Sequence, residues 1–234
     1  MKKLLPAVIV FCVCLLAAAQ TPVPEGASPN FKAMRACSAT VKTESGSGTG
    51  VTVVRKGTTY FWTCNHVTAD AKSISLSKRM VSVDKPIGSL DFAAELVCAS
   101  PKYDLSLCKV LQTDFVGTDT EFYADCIPDV GLHVYHVGSM LGPDGEGSLS
   151  FGILSLLNRK IPGLRALPVD QYIMTSAPGS SGGGIWTPDG RCLGLVTGGY
   201  YPSAITAVVP VRQMRDFAKE FNCEWALDPS VEMP

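Results

Sequence analysis

The segment 177–184, APGSSGGG, constrains the fold of this chain most strongly, because it presents the Ser181 hydroxyl on a backbone of unusual freedom. Glycines on both sides of a serine allow a tight turn and bring N–H groups close to a substrate oxygen, with Gly179 and Ser181 as the donors. A cluster of glycine and serine is also typical of a flexible loop or linker. The positions of the other catalytic residue types along the chain separate these two interpretations.

The order of histidine, aspartate and serine selects among the folds that use such a nucleophile. The string Gly-x-Ser-x-Gly at 179–183 fits the nucleophile elbow of an α/β-hydrolase, but that fold needs a histidine after the serine. All three histidines, His66, His133 and His136, precede Ser181. The subtilisin order, which begins with aspartate, is also excluded, because no aspartate precedes His66. The order that remains is His, Asp, Ser.

Short β-prone runs separated by turns follow residue 37 in two series, 38–42, 50–55, 58–64, 73–77, 93–98 and 105–111, then 132–137, 148–156, 171–175, 184–186, 193–197 and 205–210. Only residues 212–221 show helical spacing, with Met214, Phe217, Ala218 and Phe221 on one face. The pattern predicts an all-β protein, in barrels or a sandwich, with one terminal helix.

His66 and Asp104 are the best candidates for a general base and for the acid that orients it. His66 directly follows a predicted strand, and Asp104 immediately precedes one. Taken singly, such a histidine is more often a surface or core residue, and such an aspartate a turn residue. Both fall in the first β series and Ser181 in the second, as a cleft between two barrels requires. His133 and His136 lie inside a strand of the same half as Ser181, where packing or surface roles are commoner.

Several motifs together resemble the chymotrypsin-like fold and, within it, the HtrA-like trypsin family. Segment 64–67 (CNHV) is similar to the family's Asn-x-His-Val, 103–107 (YDLSL) to its Asp-Leu-Ala-Leu, and 178–183 (PGSSGG) to its Pro-Gly-Asn-Ser-Gly-Gly. Segments 130–138, 151–155 and 209–211 also fit, so that the resemblance covers about residues 37–221. It implies two six-stranded antiparallel β-barrels with a C-terminal helix. It also implies a serine endopeptidase acting on polypeptides, with Ser181 as nucleophile, His66 as base, Asp104 as orienting acid, and the Gly179 and Ser181 amides as oxyanion hole.

The family resemblance also implies where substrates bind. Chymotrypsin-like enzymes place the pocket floor about six residues before the nucleophile, which is Thr175 in this chain. No acidic residue stands there, so a small or medium apolar side chain is expected rather than lysine or arginine. Thr197, Gly198 and Gly199 are expected to bind the extended substrate backbone.

The chain departs from the family pattern in three places. Ser180 stands where relatives carry aspartate or asparagine, and no Ile-Val-Gly-Gly start occurs near Cys37, so activation by a freed amino terminus is not expected. Because 13 residues follow Phe221, no PDZ domain is expected. The segment between Thr175 and Pro178 is shorter than in the family. Two alternatives therefore stay open: an inactive protease-fold binding protein, and an esterase that uses the same triad.

The first 19 residues have the charged, apolar and small-residue order of a secretory signal, with cleavage expected after Ala19. A secreted or periplasmic protein without stable membrane insertion is expected, because the apolar run is shorter than the roughly 20 residues that a bilayer needs. Without Lys2 and Lys3 the chain carries 18 basic and 21 acidic residues, which argues against a nucleic-acid partner. The expected organisation continues with an arm or linker (20–36), a first barrel (37–112), a linker (113–124) and a second barrel with helix and tail (125–234).

Seven cysteines follow the predicted signal: Cys37, Cys64, Cys98, Cys108, Cys126, Cys192 and Cys223. In an exported protein some should be paired, and the odd number leaves at least one over. Cys98 with Cys108, and Cys37 with Cys64, are the candidate pairs. No Cys-x-x-Cys motif occurs, and the spacing of His133 and His136 suits neither a strand face nor a helix face, so neither a metal nor another cofactor is expected.

Overall fold

The computed structural model describes residues 29–82, 85–115, 117–124, 127–200 and 203–234. The predicted signal segment 1–19, most of the expected arm and Cys126 lie outside these residues. Strands and helices follow the chain as α1 (Phe31–Ala36), β1 (Ser38–Thr43), β2 (Gly46–Arg55), β3 (Thr58–Thr63), α2 (Asn65–Thr68), β4 (Ile74–Ser82), β5 (Lys85–Ser100), β6 (Leu105–Val110), β7 (His133–Gly138), β8 (Ser148–Arg159), β9 (Val169–Met174), β10 (Gly184–Trp186), β11 (Cys192–Tyr200), β12 (Ile205–Pro210) and α3 (Val211–Glu220).

The strands close into two antiparallel barrels, ordered β1-β2-β3-β6-β5-β4 and β10-β11-β12-β9-β8-β7. This confirms the predicted all-β fold with two six-stranded barrels and a C-terminal helix. Apolar side chains such as Leu105 and Leu107 alternate along a strand and fill the barrel interiors, which is why the period-2 pattern located the strands. Within the described ranges, none of the helices is long and apolar enough to cross a membrane.

Helix α3 follows the second barrel in sequence and packs against strands β11 and β12 of that barrel as well as against the first barrel. Its predicted apolar face is buried through Met214, Phe217 and Ala218. The Phe217 ring forms a T-shaped pair with Trp62 of β3, with ring centroids 5.6 Å apart, and a second T-shaped pair with Tyr103, with centroids 5.8 Å apart. Aromatic pairs in this geometry stabilise beyond their buried area, so the helix ties both barrels into one core.

Two parts of the fold differ from the sequence expectation. The β4–β5 hairpin continues well beyond the predicted runs 73–77 and 93–98, because cross-strand pairing maintains a strand where glycine, proline and charged residues give little β signal. Helix α1 forms inside the segment expected to be an arm. The Asn30 side chain caps it by accepting the Ala33 N–H at 3.1 Å, and the Phe31 ring packs edge-on against Tyr135.

Both candidate cysteine pairs are wrong in this structure, where all six described cysteines are free. Cys98 lies opposite Leu107, and Cys108 lies opposite Leu96, because a bulge shifts the β5–β6 register. The Cys37 and Cys64 thiols lie in different surroundings, near the Asp119 carbonyl at 3.5 Å and the Val196 carbonyl at 3.1 Å. Sequence proximity of neighbouring strands therefore did not identify which thiols meet.

Candidate active site

His66 and Asp104 form a directly hydrogen-bonded pair. His66 is the second residue of the short helix α2, which Cys64 separates from the end of β3, and Asp104 lies in the turn before β6. The ring Nδ1 is 2.9 and 3.0 Å from the two carboxylate oxygens, and the His66 backbone N–H also donates to Oδ1 at 3.0 Å. A carboxylate at Nδ1 favours the tautomer with the proton there, so that Nε2 is left as a proton acceptor. The histidine side chain remains 48% exposed.

Asp104 is held as a buried, ionised acceptor. Burial favours its neutral form, but hydrogen bonds from His66 and from the Thr197 hydroxyl outweigh that effect and hold the pKa of Asp104 below its usual value. Only 8% of the residue is exposed. Its backbone has a φ of +50°, and the Asp104 N–H reaches back to Pro101 at 3.4 Å. The turn therefore aims the carboxylate at the histidine.

The loop that carries Ser181 has a fixed shape. The Ser180 N–H donates to Ala177 at 2.9 Å, and the Gly183 N–H donates to Ser180 at 2.8 Å. Gly179 has a φ of +93°, and a Cβ there would lie 2.2 Å from the Ser139 carbonyl oxygen. Gly182 has a φ of +84°, and its Cβ would lie 2.1 Å from the Thr49 oxygen. The glycines thus permit close packing, and the flexible-linker interpretation does not describe this loop.

Two amides in the same loop are available to a ligand. The Pro178 carbonyl accepts the Leu141 N–H at 2.7 Å, and in a planar trans peptide the next N–H, that of Gly179, points the opposite way. In the described part of the chain, neither the Gly179 nor the Ser181 N–H donates a hydrogen bond. These are the two donors that the sequence singled out.

Thr49 of β2 links the first barrel to the serine loop, and sequence reasoning missed it. Its hydroxyl donates to the Gly179 carbonyl at 2.7 Å and accepts the Ser139 N–H at 2.8 Å. Its own N–H donates to the Ser181 carbonyl at 2.7 Å. Gly48 and Gly50 could have predicted this contact of β2 with another segment, since glycines inside a strand mark the close approach of another backbone. A Cβ at Gly48 would lie 2.9 Å from the Ser181 oxygen.

The same strand brings Ser181 to the histidine side of the cleft. A Cβ on Gly48 would lie 2.7 Å from the side chain of Val67, the residue after His66, and 2.9 Å from the Ser181 carbonyl oxygen. Among the residues that the structure describes, no hydrogen bond joins His66 to the Ser181 hydroxyl. His66 and Asp104 are therefore in direct contact, and Val67 and the Ser181 backbone both approach β2 at Gly48.

A cavity of about 250 Å³ opens beside Ser181. Among the residues that the structure describes, no charged side chain lines it; its walls are Ser176, Ala177, Pro178, Ser180, Ser181, Val196, Gly198, Gly199, Tyr200 and Ser203. Thr175 does not line the cavity. It is exposed just after β9, where its carbonyl accepts the Ser150 hydroxyl at 2.6 Å, and the next residue, Ser176, lies on the cavity wall.

The Thr197 side chain faces Asp104, and Thr197 lines a neighbouring cavity together with His66 and Asp104. Gly198 and Gly199 line the cavity beside Ser181, and both pair with β12 in the second barrel. Ser180 is buried, and its hydroxyl accepts the Ala177 N–H at 3.2 Å. This residue, unusual at its position for the family, thus closes the turn of its own loop.

The other two histidines, His133 and His136, differ in burial. His133 is exposed, whereas His136 is fully buried behind the serine loop. Its Nδ1–H donates to the Gly184 carbonyl at 3.1 Å, while Nε2 is buried without a hydrogen-bond partner. Burial lowers the pKa of His136 to about 4, so the ring is neutral at ordinary pH.

One described group of side chains has the composition of a metal site. The ligand atoms of Cys64, His66 and Asp104 lie within 4.8 Å of one another. Burial raises the pKa of the Cys64 thiol well above its usual value, and the other two residues are hydrogen-bonded to each other. A metal ion there would have to displace a thiol proton and that hydrogen bond.

Two closed antiparallel six-stranded barrels, with a hydrogen-bonded histidine–carboxylate pair on the first and a glycine-flanked serine on the second, are the features of the chymotrypsin-like class of proteins. The family model of the trypsin-like peptidase domain matches residues 48–195, and the chain belongs to this family. Its curated relatives and structural neighbours include HtrA-type proteases.

The curated relatives are bacterial proteases. A probable periplasmic serine endoprotease, DegP-like, of Halomonas elongata is 28% identical over 209 residues, which cover 87% of this chain and 39% of that protein. The serine protease Do-like HtrA of Bacillus subtilis is 29% identical over 159 residues, 65% of this chain and 33% of that protein. The chain thus spans little more than a third of the length of these relatives.

Solved structures share the fold. An inactive mutant of Rv3671c from M. tuberculosis superposes with a TM-score of 0.62 at 18% identity, covering 92% of this chain and 98% of that one. The HtrA-type protease AlgW, solved with a tripeptide, has a TM-score of 0.68 at 20% identity, covering 83% of this chain and 64% of that one.

Proposed function

We propose that this chain is an exported serine endopeptidase that cleaves polypeptides through an acyl-enzyme on Ser181. The observation that carries the proposal is the His66–Asp104 pair, with Nδ1 2.9 Å from the carboxylate, beside a rigid loop that holds Ser181 and two free amides. The family membership and the names of the curated relatives support the same activity, and the relative called periplasmic supports export.

In the proposed reaction His66 Nε2 takes the proton of the Ser181 hydroxyl as Oγ attacks the peptide carbonyl. Asp104 stabilises the imidazolium that forms and keeps the ring oriented. The Gly179 and Ser181 N–H groups donate to the oxyanion. His66 then gives its proton to the leaving amine, and a water molecule, deprotonated by the same nitrogen, hydrolyses the ester. The proton returns to Ser181 Oγ as the new carboxyl group leaves.

The cavity beside Ser181 would receive the substrate side chain before the cleaved bond. Its walls are uncharged, and the Ser176 hydroxyl is already hydrogen-bonded to that of Thr206 at 2.8 Å. A lysine or arginine would enter without a charged partner, which is costly. We therefore infer a preference for small or medium apolar side chains, with the substrate backbone lying along Gly198 and Gly199.

Cleavage of an unfolded protein tests the proposal. The purified chain should degrade reduced, carboxymethylated casein, and Ser181→Ala should abolish this activity while leaving the unfolding curve unchanged. Ser230→Ala, in the exposed tail, is the matched control and should cleave like the parent chain. A Ser181→Ala protein that still cleaves casein would contradict the assignment of the nucleophile.

Peptides that differ only before the cleaved bond test the pocket. Alanine or valine at that position should give kcat/KM values at least 10-fold above those for lysine, because an unpaired charge must be desolvated. Equal or higher values for lysine would contradict this inference. Turnover of ester substrates without peptide cleavage would instead favour the esterase alternative.

A further inference from the structure

Two thiols from distant parts of the chain meet at the back of the Asp104 turn. Cys98 Sγ in β5 lies 3.8 Å from Cys223 Sγ, which follows α3. Both backbones are fixed: Cys98 pairs with Leu107 across the β5–β6 ladder, and the Cys223 N–H donates to Ala218 at 2.8 Å where the helix ends. This contact therefore arises from the packing of a helix on a barrel rather than from a chance approach of mobile side chains.

We propose that Cys98 and Cys223 form a disulfide that fastens the terminal helix to the first barrel. The sulfur atoms need to approach by less than 2 Å to reach the bond length of about 2.05 Å. Neither of the pairs expected from sequence competes with it, since Cys108 lies opposite Leu96 and Cys37 lies near Asp119. The bond would be favoured in an oxidising compartment, to which the predicted signal segment would deliver the chain.

The two thiols have different roles in forming the bond. Cys98 is half-buried, whereas Cys223 is almost fully buried. The hydrogen bond between the two thiols lowers the pKa of Cys98, and the same contact together with burial raises the pKa of Cys223. Cys98 is thus the more accessible and more readily ionised thiol, which makes it the attacking group.

The oxidant is a small-molecule or protein disulfide. The Cys98 thiolate attacks one sulfur of that disulfide, a mixed disulfide forms, and the first thiolate leaves. Cys223 then gives up its proton and attacks the Cys98 sulfur, which forms the internal bond and releases the second thiolate. Two protein thiols are oxidised and one donor disulfide is reduced to two thiols.

The bond would add a covalent link where two polar links already exist. Lys102 Nζ lies 2.8 Å from Glu220 Oε2, and the Tyr103 hydroxyl donates to the same oxygen at 2.9 Å. Both residues directly precede Asp104, and Glu220 belongs to α3. The disulfide thus stabilises the segment from which the Asp104 carboxylate reaches His66.

Peptide mapping tests the proposal directly. The full chain carrying Ser181→Ala, which prevents self-cleavage, is equilibrated with glutathione disulfide, alkylated and digested with trypsin. Because the Lys85-Pro86 bond resists trypsin, Cys98 falls in peptide 80–102 and Cys223 in peptide 220–234, each with one cysteine. The expected product is these two peptides linked, with release on reduction. Two alkylated peptides, or a link from either one to another cysteine, would overturn the proposal.

Thermal unfolding provides the second measurement. Cross-linking residues 98 and 223 closes a loop of more than 100 residues, so the oxidised chain should melt on the order of 10 °C above the reduced chain. Cys98→Ser and Cys223→Ser should each remove this redox-dependent difference. Cys108→Ala, the buried control, should lower both melting temperatures but keep their difference. A difference that survives in Cys98→Ser would also overturn the assignment.

Discussion

Replacing Thr49 by valine should uncouple the serine loop from the first barrel. The change keeps the shape of the side chain and the backbone N–H but removes the hydroxyl that joins the Gly179 carbonyl, at 2.7 Å, to the Ser139 N–H, at 2.8 Å. Thr49 is fully buried, so water cannot replace the hydroxyl without a movement of the loop. Each buried group left without a partner costs about 1–3 kcal/mol.

These costs should lower both stability and activity. With the Gly179 carbonyl and the Ser139 N–H both left without a partner, the free energy of unfolding in urea should fall by about 2–6 kcal/mol. If the loop relaxes, the Gly179 amide leaves its position, and loss of one oxyanion donor lowers kcat by about 100- to 1,000-fold. The assay is steady-state hydrolysis of a peptide with valine before the cleaved bond, with a urea titration of the same samples. We expect kcat to fall at least 10-fold with KM little changed.

Thr52→Val is the matched control in the same strand. Thr52 is also buried, and its hydroxyl donates to the Thr118 carbonyl at 2.7 Å, away from the serine loop. This variant should lose stability but keep its kcat. A Thr49→Val protein with kcat within twofold of the parent chain, or a Thr52→Val protein with an equal loss of kcat, would refute the reasoning.

Two further predictions concern pH. Burial lowers the pKa of His136 to about 4, whereas in the unfolded chain this histidine takes up its proton near pH 6.5. The free energy of unfolding should therefore fall as the pH drops from 6.5 towards 4, by about 1.4 kcal/mol at pH 5.5. Urea titrations should show this slope in the exposed-site control His133→Leu and not in His136→Leu, and equal slopes in the two variants would count against the prediction. Despite burial, hydrogen bonds hold the pKa of Asp104 below its usual value, so the ionised carboxylate stabilises the fold above about pH 4, and this contribution is lost as the pH falls through the pKa of the folded state. Thr197→Val should raise the pKa of Asp104 and move the midpoint of acid unfolding to higher pH. An unmoved midpoint would argue against the Thr197–Asp104 hydrogen bond.

The strands and the His66–Asp104 pair were predictable because their signals are local. Alternating apolar residues mark each strand, and both residues lie where a predicted strand ends or begins. The order of His66, Asp104 and Ser181 then sufficed to choose the two-barrel fold over the other serine hydrolase folds.

Contacts between distant segments were not predictable in the same way. Thr49 is hydrogen-bonded to Ser139 and Gly179, which lie 90 and 130 residues further along the sequence. The Cys98 and Cys223 thiols are in contact although 125 positions separate them in the sequence. The prediction of Thr175 as the pocket floor shows a different limit of sequence reasoning. Counting back from the nucleophile assumes a loop of family length, and the shorter loop of this chain brings Ser176 to the cavity instead.

Covalent labelling of Ser181 tests the central claim most directly. A fluorophosphonate probe reacts with a serine hydroxyl that a neighbouring base activates, and the free Gly179 and Ser181 amides should assist by donating to its oxygen. Mass spectrometry should find one probe per chain on Ser181, with labelling lost in Ser181→Ala and reduced at least 100-fold in His66→Ala. A chain that stays unlabelled, or that carries the probe on another serine, would contradict the assignment of Ser181, His66 and Asp104 as a working triad.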